Sequence, residues 1–121
     1  MGQKVLYIED NPDNVLLVRR ALEARGYVFL WAPNGLKGLE MVQSEAPELV
    51  LLDINLPDMD GYEVARRLRS GGVTLPIIAI TANALKGDAE KALAAGCDVY
   101  MSKPINIREL WSRVTTYLPA N

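Results

Sequence analysis

The sequence predicts an α/β fold: a single (βα)5 unit whose five parallel strands form a doubly wound sheet. Three observations carry that prediction. Apolar runs of strand length alternate five times with segments of helical period, the pattern of a parallel sheet with right-handed crossovers. The stretch LVLLDINLPDMDG, residues 49–61, opens on four consecutive aliphatic residues, as a strand buried on both faces does. At 121 residues the chain suits one domain. It is too short for an eight-stranded barrel, which takes about 250.

Each element has its own signal. Lys4 to Ile8 reads as the first strand. Asn11-Pro12 then offers a cap and a first-turn proline for a helix that runs through Arg25 to Gly26, with Val15, Val18, Ala21 and Leu22 as its core stripe. Tyr27 to Ala32 is the second strand. Asn34 starts the second helix, with Leu36, Leu39 and Val42 expected inward, and it ends before Pro47. Leu49 to Asp53 is the third strand. A helix over Asp60 to Ser70 turns Val64, Ala65 and Leu68 to one side and stops at Gly71-Gly72. Pro76 to Thr81 is the fourth strand. An alanine-rich helix over Asp88 to Ala95 stops at Gly96, and Asp98 to Met101 is a short fifth strand. Ile107, Leu110, Trp111, Val114 and Leu118 then keep a helical period.

Composition narrows the chemistry. The net charge of −2 offers no footprint for nucleic acid, and the cluster Arg66, Arg67 and Arg69 beside Glu63 is expected to be a solvated helix face. No apolar stretch reaches the ~18 residues of a membrane span, and no signal peptide precedes the first apolar run. The one cysteine, Cys97, excludes an internal disulfide and is expected to be a small apolar filler in a cytoplasmic protein. There is no histidine, which removes Ser-His-Asp and Cys-His catalysis and most zinc sites.

In open parallel sheets, ligands bind beyond the carboxyl ends of the strands. After the first strand come Glu9 and Asp10. The third strand ends in Asp53 and the fourth in Thr81, while Lys103 and Pro104 follow the fifth. Each alone has a plain structural use, but three carboxylates converging on one rim repel unless a cation joins them. Oxygen ligands without histidine or a cysteine cluster fit a hard ion, Mg²⁺ or Mn²⁺. A lysine and a threonine facing that ion suit a phosphoryl group, whose transfer needs positioning and charge neutralisation.

Glu9-Asp10, Asp53 with Pro57 and Gly61, Thr81-Ala82 and Lys103-Pro104 together resemble, from end to end, the receiver domain of bacterial two-component response regulators. The resemblance implies the flavodoxin-like strand order 2-1-3-4-5. It implies that Asp53 accepts a phosphoryl group from a sensor histidine kinase or histidine phosphotransfer protein. Glu9, Asp10, Asp53 and the backbone carbonyl of Asn55 would hold Mg²⁺. Lys103 would contact a phosphoryl oxygen, next to a cis bond to Pro104. Thr81 would follow the phosphoryl group and Tyr100 would turn inward with it. Asn55 and Asn83 match positions that tune phosphoryl lifetime, implying a slow to moderate one, while Pro57 and Gly61 shape the loop. The runs Asn83 to Asp88 and Tyr100 to Ile105 are similar to stand-alone regulators of the DivK type and to hybrid-kinase receivers. That similarity implies a single domain without an output domain. Its downstream signalling protein would bind around the fourth helix, fifth strand and last helix, with no nucleic acid or membrane involved.

Two other readings compete. An aspartyl-nucleophile phosphohydrolase of the haloacid dehalogenase kind wants a second carboxylate two residues after the nucleophile, where Asn55 stands, and a nucleophile on the first strand. A receiver fold serving as a phosphorylation-independent binding module would lack an acid or the lysine, and none is missing. A nucleotide-binding domain would show a glycine-rich loop after the first strand, which instead leads into Glu-Asp-Asn-Pro.

Overall fold

The computed structural model describes residues 2–82 and 87–119. Five strands, β1 (Lys4–Ile8), β2 (Val28–Ala32), β3 (Leu49–Asp53), β4 (Ile77–Thr81) and β5 (Val99–Ser102), form one parallel sheet in the order β2-β1-β3-β4-β5. Between and after them run α1 (Pro12–Ala24), α2 (Gly35–Glu45), α3 (Gly61–Ser70), α4 (Ala89–Ala95) and α5 (Ile107–Tyr117).

Alternation along the strands sorts the core into two layers. Val5, Tyr7, Leu49, Leu51, Ile78, Ile80 and Met101 face α1 and α5, where Val15, Val18, Leu22, Leu110 and Val114 meet them. Leu6, Ile8, Val50, Leu52, Ile77 and Ala79 face α2, α3 and α4 through Val42, Val64, Ala65, Leu68, Ala92 and Ala95. Every residue of β3 and β4 is buried, which is why those strands read as unbroken apolar runs. The β2 strand lies on the edge, and its Val28 and Trp31 stay exposed.

Helix starts agree with the sequence reading at Asn11, Asn34 and Asp60, and Asn106 caps the last helix in the same way. The side chains of Asn11, Asn34, Asp60 and Asn106 each accept from amides of the first turn they precede. Strand bounds differ by one residue from the expectation at β2, which starts at Val28, at β4, which starts at Ile77 after the proline that has no amide hydrogen to give, and at β5, which runs Val99–Ser102. Asp98 bridges the start of β4, its carboxylate accepting from the Ile77 amide at 2.8 Å and its own amide donating to Ile77 O at 2.8 Å.

Two expectations are corrected. Leu36, expected in the core, is 56% exposed. The inward face of α2 is Gly35, Gly38, the partly buried Leu39 and Val42, because glycine lets the helix axis approach the sheet. A Cβ on Gly38 would stand 2.4 Å from Ile8 Cδ1, so that approach sets the helix phase and leaves Leu36 outside it. Arg69 is not part of a solvated face. Its guanidinium donates to the carbonyls of Gly96, Val73 and Leu75 and pairs with Asp98 Oδ2 at 3.0 Å. Arg66 and Arg67 do remain exposed, paired with Glu63. Cys97 is buried in the α2–α3–α4 layer as expected, and burial pushes its thiol up to about 11.

Candidate functional site

The same alternation that builds the core carries charged groups to its rim. Tyr7 and Glu9 lie on one face of the first strand's path, and Leu51 and Asp53 on the same face of β3. Hence two carboxylates emerge side by side at the carboxyl ends of paired strands. Glu9 and Asp53 are both buried, while Asp10, one residue on, is exposed. The three acids bring carboxylate oxygens within 4.8 Å of one another. From the end of β5, Lys103 Nζ reaches 3.1 Å from Asp53 Oδ1 and 3.4 Å from Glu9 Oε1. The sequence-predicted acids and the lysine are therefore brought together.

The electrostatics of the pair are unequal. Burial and the charge and hydrogen bonding of Glu9 push Asp53 up to about 7, against the opposing pull of Lys103. Burial pushes Glu9 the same way, but hydrogen bonds from Asp53, Asn14 and Tyr7 and the Lys103 charge outweigh it and hold Glu9 at about 2. Desolvation opposes the Lys103 charge, yet Asp53 and Glu9 raise its pKa above the ordinary lysine value. Lys103 thus does not neutralise the site: among the described residues, three acids face this one lysine. That surplus of oxygen donors with negative charge, in a partly buried recess, fits a hard divalent cation.

Around these groups the other expected residues take their places. Gly61 donates its amide to Ile54 O at 2.8 Å, and a Cβ on it would come within 2.6 Å of Asp53 O. The glycine is thus required by close approach to the backbone of Asp53, beyond the loop-shaping expected of it. Asn55, exposed, donates its amide to Asp53 Oδ1 at 3.3 Å, and Pro57 is exposed in the loop that follows. The Lys103–Pro104 bond is cis. Thr81 is buried at the end of β4, where its hydroxyl donates to Asp88 Oδ2 at 3.0 Å. Tyr100 is 36% exposed and sits opposite Ala79 on β4, diagonal to Thr81 on the same face. Asn83 lies outside the described residues.

Several residues of the site were not singled out from the sequence. Tyr7 donates to Glu9 Oε1 at 3.1 Å and Asn14 donates to the same oxygen at 2.9 Å. Trp31 Nε1 donates to Glu9 O at 2.7 Å from the edge strand. Asp58, in the loop after β3, accepts from the amides of Gly35 and Leu36 and so ties that loop to the start of α2. Burial opposes its charge, but these amides hold its carboxyl below the ordinary range. Tyr7 was legible in principle, since a residue two before Glu9 on one strand shares its face. Asn14, Trp31 and Asp58 depend on how α1, β2 and the loop after β3 come to lie against the site, which no local pattern encodes.

Comparison with known proteins agrees with this geometry. Residues 5–115 match the family model described as response regulator receiver domain. The chain is 38% identical over 120 residues to the polar-differentiation response regulator DivK of Brucella anthropi, covering 98% of each. It superposes with a TM-score of 0.90 and 34% identity on the receiver domain of the sensor histidine kinase PA1611 of Pseudomonas aeruginosa, covering 99% of this chain and 100% of that one. That structure has a magnesium ion coordinated in its active-site cleft. A third likeness, with a TM-score of 0.88 and 27% identity over 96% of this chain and 88% of the other, comes from Saccharomyces cerevisiae. It lies in a co-crystal of the histidine phosphotransfer signalling protein Ypd1 with the receiver domain of its downstream response regulator Ssk1. With the sheet order, the acid cluster and the lysine in agreement, the chain belongs to the response regulator receiver family, the phosphorylation-dependent switches of two-component signalling.

Proposed function

We propose that Asp53 is the phosphoryl acceptor of this receiver domain. A buried carboxylate with Lys103 Nζ at 3.1 Å and two further acids alongside is the observation that carries the assignment. In the transfer, an Asp53 oxygen attacks the phosphorus of a phosphohistidine on a partner protein. The P–N bond breaks as the O–P bond forms, and the imidazole leaves with the electron pair and takes up a proton. The donor is a sensor histidine kinase or a histidine phosphotransfer protein, as the Ypd1 complex of the Ssk1 receiver supports.

Glu9, Asp10 and Asp53, with the backbone carbonyl of Asn55, would hold Mg²⁺. When bound, the ion neutralises the acids and the incoming phosphoryl oxygens. The magnesium in the related PA1611 cleft supports that choice. Lys103 steadies a phosphoryl oxygen, and the Thr81 hydroxyl donates to another. Asn55 and Asn83 tune the lifetime of the aspartyl phosphate. The only reaction of the protein is thus its own phosphorylation and dephosphorylation; it is a signalling protein.

Phosphorylation shifts the population toward a form in which Thr81 and Tyr100 point inward. The surface read by the downstream protein is the face of α4, β5 and α5, where Leu93 and Tyr100 are exposed. Incubation with acetyl phosphate and Mg²⁺, followed by intact mass, tests the assignment. Wild type is expected to gain one acid-labile phosphate and Asp53→Asn none. A wild type that stays unmodified, or an Asn variant that gains the label, refutes it.

A further inference from the structure

The helix that follows β4 starts unlike its neighbours. At α1, α2, α3 and α5 the cap residue has extended backbone and its side chain accepts from first-turn amides. Asp88 stands at the same position before α4 but has helical backbone, φ −65 and ψ −32, and makes no side-chain cap bond. Its carboxylate is turned away, to the Thr81 hydroxyl at 3.0 Å. Just before Asp88, Gly87 has φ +79, a left-handed backbone that glycine adopts freely. From α3, the Tyr62 hydroxyl approaches Asp88 O at 3.5 Å. Asp88 forgoes the cap bonds that an aspartate at this position ordinarily makes and spends its carboxylate on Thr81.

We propose that Asp88 is a positioning residue that holds the Thr81 hydroxyl in the resting molecule, so that Asp53 is phosphorylated through the conformation in which the Thr81–Asp88 bond is open. The proposal rests on the reading of Thr81 as the hydroxyl that follows the phosphoryl group. A threonine hydroxyl carries one proton, which cannot be given to the Asp88 carboxylate and to a phosphoryl oxygen at once. Leaving Asp88 is therefore part of the cost of switching. The carboxylate released by that step is free to accept from the first-turn amides of α4, so the start of that helix rewinds as Thr81 moves. In this way a bond made at the end of β4 is transmitted to a helix of the output face.

The rate of phosphorylation by acetyl phosphate in saturating Mg²⁺, followed by intact mass, tests this. Removing a hydrogen bond to a charged acceptor in the resting form makes Asp88→Ala roughly tenfold faster than wild type, with Asp88→Asn between them. Mg²⁺ affinity is unchanged in both, and both keep the far-ultraviolet circular dichroism of wild type. In a Thr81→Ala background, Asp88→Ala changes the rate by less than about twofold, because Asp88 acts through that hydroxyl. A purely structural role would lower the melting temperature without accelerating the reaction. Folded Asp88→Ala and Asp88→Asn proteins that react no faster than wild type overturn the proposal, and so does equal acceleration with Thr81 absent. Should Asp88→Ala not fold, the Asn variant alone decides. Wild type that takes up no phosphate overturns the reading of Asp53 together with this one, whereas uptake without acceleration overturns only the role of Asp88.

Discussion

Lys103 Nζ stands 3.1 Å from Asp53 Oδ1, so the ends of β5 and β3 are joined across β4, which lies between them. The contact places a cation over the acceptor oxygen before any phosphoryl group arrives. It also leaves a net negative recess, because Glu9 draws on the same cation and the Asp10 carboxylate stands beside both acids. The site is thus arranged to attract a second, divalent positive charge and then an anion.

Metal binding has a natural reporter. Trp31 donates to the backbone carbonyl of Glu9 at 2.7 Å, whereas Trp111 donates to Ala21 O, on the α1–α5 side. Mg²⁺ titration is expected to change tryptophan fluorescence in wild type and in Trp111→Phe, but not in Trp31→Phe. Asp10→Asn should weaken the apparent affinity by about tenfold or more, as loss of a charged ligand does. Unchanged affinity in that variant would remove Asp10 from the site.

Stability of the metal-free protein should depend on pH through Asp53. Its pKa is raised from 3.8 to about 7, so the folded chain holds that proton more tightly than the unfolded one. The contribution is complete below about 4 and is lost as pH climbs through about 7. Glu9, lowered to about 2, works in a separate window: its contribution is present above 4.5 and is lost as pH falls toward 2. Urea unfolding without metal should find Asp53→Asn more stable than wild type by about 2 kcal/mol at pH 8. That difference should shrink toward pH 4 and also when Mg²⁺ is added. A pH-independent difference would contradict the repulsion between Asp53 and Glu9.

How much of this was legible follows from what each signal encodes. The five strands and helices, the buried middle strand and the acids at strand ends are carried by local apolar pattern and by topology. Glu9, Asp10, Asp53 and Lys103 therefore converge as the sequence implied. The phase of α2 was not legible, because Gly38 admits Ile8 to a distance that only the packed pair defines, which turned Leu36 outward. Arg69 looked like a surface charge because its partners are backbone carbonyls, two in the loop just after its own helix and one at Gly96, which no side-chain pattern marks. Asp88 read only as the first residue of an alanine-rich helix. Its partner, the Thr81 hydroxyl at 3.0 Å, stands on a strand, and no local pattern names it.

Arg69 offers a separation of fold from site. It holds three carbonyls and Asp98 at the amino-terminal side of the sheet, away from the acids. Arg69→Ala should cost roughly 2–3 kcal/mol in urea unfolding, through several lost charge-assisted bonds. Mg²⁺ affinity and phosphate uptake should be unchanged in the folded variant. A cost within about 0.5 kcal/mol would mean that these bonds are replaced by water.

The central claim is that one carboxylate among three receives the phosphoryl group. Treatment of the acetyl phosphate product with borohydride converts an aspartyl phosphate to homoserine, which peptide mass spectrometry can locate. The account predicts the converted residue at position 53 alone. Conversion at Asp10 or at another acid, with Asp53 unmodified, would contradict it.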